Sequence, residues 1–180
     1  FKQITDVYRA DGRSAPVFND KHLSWKWAWA REMVDLSEEL GFALAAGSSL
    51  PGTWRMPSIE MPANAPVEEM MSVAIGGMDS YDFHALEVIQ CMAERRQGGE
   101  TGVTAVQGLQ GDAVWQAMAA GDWSKGGWDT SLFEACLSRS QTLVQPESYS
   151  HRYPTQEQIR EWVKEPVAYR IEYVAGTRAT

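Results

Sequence analysis

The chain has 180 residues, of which 44% are hydrophobic and eight are tryptophan, enough apolar surface for a sizeable core, and a disordered chain is excluded. Sixteen basic against 24 acidic residues give a net charge of −8, which excludes a nucleic-acid backbone as partner, because phosphate binding needs a basic face. No run approaches the ~20 apolar residues of a membrane span, so no membrane partner is expected. Cys91 and Cys136 both fall in amphipathic stretches, and buried free thiols in a reducing cytoplasm are the expectation. The chain begins at Phe1 inside a helix-like stretch and reads as part of something longer.

In chain order, Phe1, Ile4, Val7 and Tyr8 recur at helical spacing, and Gly12 supplies the stop. A short strand is predicted over 16–19. Trp25, Trp29, Met33, Leu36 and Leu40 then mark one face of a helix, with Ser24 as its N-cap and Gly41 at its C-terminal end. Of the run Trp25-Lys26-Trp27-Ala28-Trp29, Trp25 and Trp29 are expected in the core and Trp27 outside it. A strand over 42–46 completes a βαβ unit. Four prolines between Leu50 and Pro66 predict an extended connector whose Trp54, Met56, Ile59 and Met61 are buried. A strand-like run over 72–75, a helix over 82–96 and a strand over 103–109 follow. Ser131 to Glu134 and Thr155 to Gln158 read as capping boxes. Val167, Tyr169, Ile171 and Tyr173 alternate with Ala168, Arg170, Glu172 and Val174 in a last strand.

The chemistry concentrates at two places. Asn19, Asp20, Lys21 and His22 follow the first strand, and polar groups at the carboxyl end of an inner strand face the crevice where open α/β sheets bind ligands. A lysine there can favour the alkoxide-like charge that develops as an alcohol is oxidised. Asp79, Asp82 and His84 open the long helix, and a histidine can pass a proton near neutral pH. Ser48, Ser49, Trp54 and Arg55, after the second strand, form a set of hydroxyls, cation and aromatic face suited to a polyol.

The Pro16–Ser49 segment, with Asp20-Lys21-His22 at its strand end, and the stretch from Asp79 to Glu87 resemble the Gfo/Idh/MocA family of sugar and cyclitol dehydrogenases. There a strand ends in Glu-Lys-Pro, and an aspartate and a histidine one turn apart open a later helix. The resemblance implies an α/β and α+β fold: residues 1–49 as the C-terminal part of a Rossmann-like parallel sheet, and 50–180 as a mixed-sheet substrate domain. It implies NAD or NADP as cofactor, met by Asn19, Asp20, Lys21 and His22, although no G-x-G-x-x-G occurs in the sequence. Lys21 and His84 would act on the hydroxyl of a sugar-like substrate, with Asp79 or Asp82 orienting His84 and all of them lining one cleft. Ser48, Ser49, Trp54 and Arg55 would hold the substrate. Two departures keep alternatives open: His22 replaces the proline, and Asp79 stands five residues before His84. A metal-assisted lyase, hydratase or epimerase drawing on Asp79, Asp82, His84 and Glu87 is one; a non-catalytic scaffold is another. No metal ligand set is assigned.

The last strand's second face is mixed, neither charged nor apolar throughout, and the resembled family commonly joins copies through this sheet. A homo-oligomer is therefore expected, with Arg170 and Glu172 pairing across a two-fold axis. His151 is expected on a surface loop or at a subunit contact.

Overall fold

The structure, a computed structural model, describes residues 1–55, 58–139 and 154–180. Met56 and His151 lie outside the described residues. Those described form a mixed α/β fold with six α-helices and two small sheets, one parallel and one mixed. No helix among them is long and apolar enough to cross a membrane. The chain divides into two compact units, Phe1–Arg55 and Met56–Thr180. Ser48, Ser49, Trp54 and Arg55 therefore stay with the first.

In the first unit, α1 (Lys2–Asp11) ends where Gly12 turns left-handed at φ 63° and returns its N–H to the Tyr8 carbonyl at 3.0 Å. β1 (Val17–Asn19) and β2 (Leu44–Ala46) pair in parallel, with Phe18 opposite Ala45, and α2 (Trp27–Glu39) makes the crossover. Phe42, 7% exposed, is the buried apolar centre, with the Tyr8 ring against it edge-on at 5.3 Å. Two expectations fail here. Ser24 does not cap α2: its Oγ accepts from the Lys26 N–H at 3.2 Å, and the helix starts only at Trp27. Nor do Trp25 and Trp29 enter a core, while Trp27 lies outside one as expected. Trp25 is 80%, Trp27 77% and Trp29 46% exposed, because a two-stranded sheet offers a helix too little surface to bury an aromatic stripe. Trp25 packs edge-on against Trp29 at 5.4 Å, with the Lys26 ammonium 5.0 Å from the Trp29 ring. The connector behaves alike: Trp54 is fully exposed and Ile59 is exposed.

The second unit holds a four-stranded sheet in the order β3 (Glu69–Met70), β6 (Arg178–Ala179), β5 (Val167–Tyr173), β4 (Val103–Gln110). β3 and β6 run parallel; β6–β5 and β5–β4 run antiparallel. The run over 72–75 is not a strand; pairing with β6 places β3 a few residues earlier and leaves Val73 and Ile75 exposed. α3 (Met78–Ala93) lies on one sheet face, where Ile89 and Ala93 pack with Ile171, Tyr173 and Ala179. α4 (Asp112–Ala120) and α5 (Thr130–Arg139) bring a second core to the other face, where Val114, Ala117, Met118 and Trp128 gather with Leu109 and Ala168 beside them. Asp129 Oδ1, not Ser131, accepts from the Leu132 N–H at the start of α5. α6 (Gln156–Trp162) has the capping box that Thr155 and Gln158 predict.

On the mixed face of β5, Ala168 sits beside the second core and Arg170 is held by its own chain, while Glu172 and Val174 are exposed. Arg170 donates to the Gly127 and Trp123 carbonyls and stacks over the Trp123 ring at 4.1 Å. Its guanidinium is thus engaged within the molecule.

Candidate functional site

The first cluster is built by the ends of β1 and β2. Asn19 is the last residue of β1, and its side-chain amide donates to the carbonyls of Lys21 (2.9 Å) and His22 (3.0 Å), folding the chain into a tight polar turn. Gly47, just past β2 at φ 143°, donates its N–H to the Asn19 and Lys21 carbonyls at 3.3 and 3.2 Å. That backbone angle suits glycine, and it lets the two strand ends close on each other. The turn therefore stands at the carboxyl edge of the parallel pair, where such sheets meet ligands.

Lys21 is half exposed there, at 52%, with its ammonium on the Asp20 carboxylate at 3.0 Å and the Asp20 carbonyl at 2.8 Å. An ammonium has three donors, and two of those on Lys21 are directed at Asp20. His22 completes the turn. On the β2 side, Ser48 Oγ accepts from the Leu50 N–H at 3.1 Å, and Ser49 precedes the short 3₁₀ turn Leu50–Gly52. Arg55 is half buried and Trp54 projects wholly into solvent. The structure thus brings Asn19, Asp20, Lys21 and His22 together, with Gly47, just past the second strand, closing the turn.

The second cluster belongs to α3. The helix starts at Met78, so residues 79–84 are helical, and no looser turn carries Asp79 back to His84. Helical period places Asp82 with Leu86, Ile89 and Ala93 on the face toward the sheet, and His84 with Ser80, Glu87 and Cys91 on the other. Asp82 is committed to Tyr169, whose phenol donates to its Oδ2 at 2.7 Å. Burial, the hydrogen bond to Asp82 and the negative charges of Asp82 and Asp79 push the Tyr169 phenol up to about 12. His84, half buried, has its ring beside those of Phe83 (5.4 Å) and Tyr81 (6.1 Å). An orienting bond from Asp82 to His84 is therefore replaced by an anchoring bond from Tyr169 to Asp82. Among the described residues no three His, Cys, Asp or Glu side chains converge as a metal would require, and Asp82 and His84 diverge around the helix.

Tyr169 was the missed residue in this cluster. Its place on the core face of an alternating strand was the available signal, since a buried phenol needs an acceptor. Lys21 and His84, the two acid–base candidates, belong to different units. Comparison with protein-family models, curated proteins and solved structures finds no match to this chain.

Proposed function

We propose that this chain is part of an oxidoreductase-like protein of the Gfo/Idh/MocA type, acting in the cytoplasm on the hydroxyl of a sugar-like alcohol with NAD or NADP. The observation that carries the reading is the turn Asn19–His22 at the carboxyl ends of two parallel strands, with a half-exposed lysine tethered by the residue before it. The finer fold assignment, the end of a Rossmann-like sheet followed by a substrate domain, belongs to the same proposal.

The residues present fit one end of a dinucleotide. The turn offers an ammonium, an imidazole and backbone groups suited to the nicotinamide side, while no glycine-rich phosphate loop occurs in the sequence. When bound, the nicotinamide supplies the hydride acceptor. Lys21 would donate a hydrogen bond to the reacting hydroxyl oxygen and stabilise the negative charge that grows there as the hydroxyl proton passes to solvent water. Asp20 would hold the ammonium in place, and Ser48 and Ser49 would supply hydroxyls along the same strand edge. His84 is a separate proton-transfer candidate in the second unit.

The test is to follow nicotinamide reduction by the complete protein, of which this chain is part in this reading, with a panel of polyols and aldoses, and to measure NAD and NADP binding by calorimetry. Cofactor binding with turnover abolished in Lys21→Met supports the reading. Absence of any nicotinamide binding overturns it.

A further inference from the structure

Asn19 ends β1 half-buried, and its side-chain amide is aimed at two main-chain oxygens, the carbonyls of Lys21 at 2.9 Å and His22 at 3.0 Å. Carbonyl oxygens only accept, so the amide nitrogen must face them, and both of its N–H groups are spent in doing so. Asn19 therefore has no side-chain donor left for a cofactor. From the other strand, the Gly47 N–H reaches the Lys21 carbonyl at 3.2 Å and the Asn19 carbonyl at 3.3 Å. The Lys21 carbonyl thus takes one donor from the end of each strand, which matches its two lone pairs. A carbonyl held from two sides fixes the plane of the peptide that joins Lys21 to His22. The Lys21 Cα lies in that plane, so the point from which the side chain departs is fixed as well.

We infer that Asn19 is a positioning residue, whose amide acts with the Gly47 N–H to hold the Lys21 backbone so that the ammonium emerges at the carboxyl edge of the β1–β2 pair; this rests on the proposed role of Lys21 at the reacting hydroxyl. It takes Asn19 out of the set of cofactor contacts. Neighbouring side chains of the turn act on different parts of the lysine. Asp20 meets the ammonium itself, through its carboxylate at 3.0 Å and its carbonyl at 2.8 Å. Asn19 acts one step back, on the main chain. Both positions of the lock are demanding. Aspartate at 19 would keep the shape but, ionised, would turn an acceptor toward two carbonyls with no proton between them. At 47, the φ of 143° is one that glycine adopts readily and other residues do not.

The experiment replaces Asn19 with leucine, which has a similar branched shape, no donor and no charge, in the complete protein, with circular dichroism to confirm the fold. Three quantities are read: kcat and KM on a polyol, NAD and NADP affinity by calorimetry, and the rate at which acetic anhydride labels the Lys21 amine, located by mass spectrometry. The expected result for Asn19→Leu is a kcat lower by roughly 10–100-fold, the cost of a misplaced reacting group, with nicotinamide affinity unchanged. Labelling of Lys21 should rise relative to that of the exposed Lys164, as the turn loosens and the ammonium leaves Asp20. Should Asn19→Leu fail to fold, Gly47→Ala disturbs the second donor and gives the same readout. Either an unchanged kcat or unmoved Lys21 labelling overturns the inference. So does nicotinamide binding weakened in step with kcat, which would return Asn19 to the cofactor. A natural protein that turns over no polyol sinks the enzymatic reading instead, and the labelling ratio alone then decides whether Asn19 holds Lys21.

Discussion

Tyr169 donates its phenolic proton to Asp82 across 2.7 Å, tying the central strand of the mixed sheet to the second turn of α3 from 87 residues away. The bond fixes what Asp82 does: it anchors the helix that carries His84, and its carboxylate faces away from that imidazole. Asp82 is thereby a positioning residue for the helix.

Replacing Tyr169 with phenylalanine should destabilise the protein by about 2 kcal/mol, the scale of a hydrogen bond to a charged acceptor, by leaving Asp82 without this donor. Urea denaturation measures it. A stability within error of the natural chain would mean that the bond does not form in solution.

The same phenol has a pH signature. Its pKa rises from 10 in the unfolded chain to about 12 in the folded one. The folded state therefore gains from keeping the phenol protonated: that contribution is complete below pH 10 and is lost as pH rises through about 12. An ultraviolet titration should show a late-ionising step to which Tyr173, raised by burial, also contributes, and Tyr169→Phe should diminish that step. A late step undiminished in the variant would assign it to Tyr173 alone.

Lys21→Ala should lower turnover by roughly 10²–10⁴-fold, the usual contribution of a group assisting proton transfer. Its ion pair with Asp20 is exposed on both sides, so the variant should keep its stability to within about 1 kcal/mol. Equal losses of stability and activity would make Lys21 a structural residue.

The tryptophans should divide by environment. Trp128 is 5% exposed within the second core, and its alanine variant should lose about 3–5 kcal/mol. Trp27→Ala, at 77% exposure, should stay within about 0.5 kcal/mol of the natural chain. Acrylamide quenching provides the independent check, since Trp27 is open to the quencher and Trp128 is shielded.

Gly76→Ala should destabilise the approach to α3. Gly76 has φ 140°, and a Cβ there would stand 2.4 Å from the Tyr81 ring. The strained backbone alone costs on the order of 1–3 kcal/mol, with the displaced ring in addition. Thermal unfolding measures the loss, and an unchanged midpoint would show that the turn relaxes freely.

What the sequence made legible were features written in neighbouring residues. Gly12 closes α1, Thr155 and Gln158 cap α6, and the alternation from Val167 to Tyr173 puts Ile171 and Tyr173 into the core. The polar turn after β1 was legible for the same reason, because strand, turn and strand lie within 30 residues of one another. What escaped were features set at long range. β3 is two residues long and exists only through pairing with β6, more than a hundred positions later. The Trp25–Trp29 stripe has the period of a buried face, yet burial depends on what stands opposite, and the period carries no information about that. The partner of Asp82 could not be read from α3 at all.

Arg96 lies just past the C-terminal end of α3, 1% exposed, bonded to the Ala93 carbonyl and to Thr101 Oγ1, with its guanidinium 4.6 Å from the Tyr173 ring. A cation at that end complements the helix dipole, and Asp79 in the first turn does so at the other. Dissolved salt weakens such matches where ions can reach them, as at the exposed pairs Lys2–Asp6 and Arg31–Asp35. Counter-ions cannot reach a guanidinium enclosed between a backbone carbonyl and an aromatic face. The C-terminal end of α3 therefore keeps its compensating charge at any ionic strength, while the surface pairs of the first unit fade as electrolyte is added.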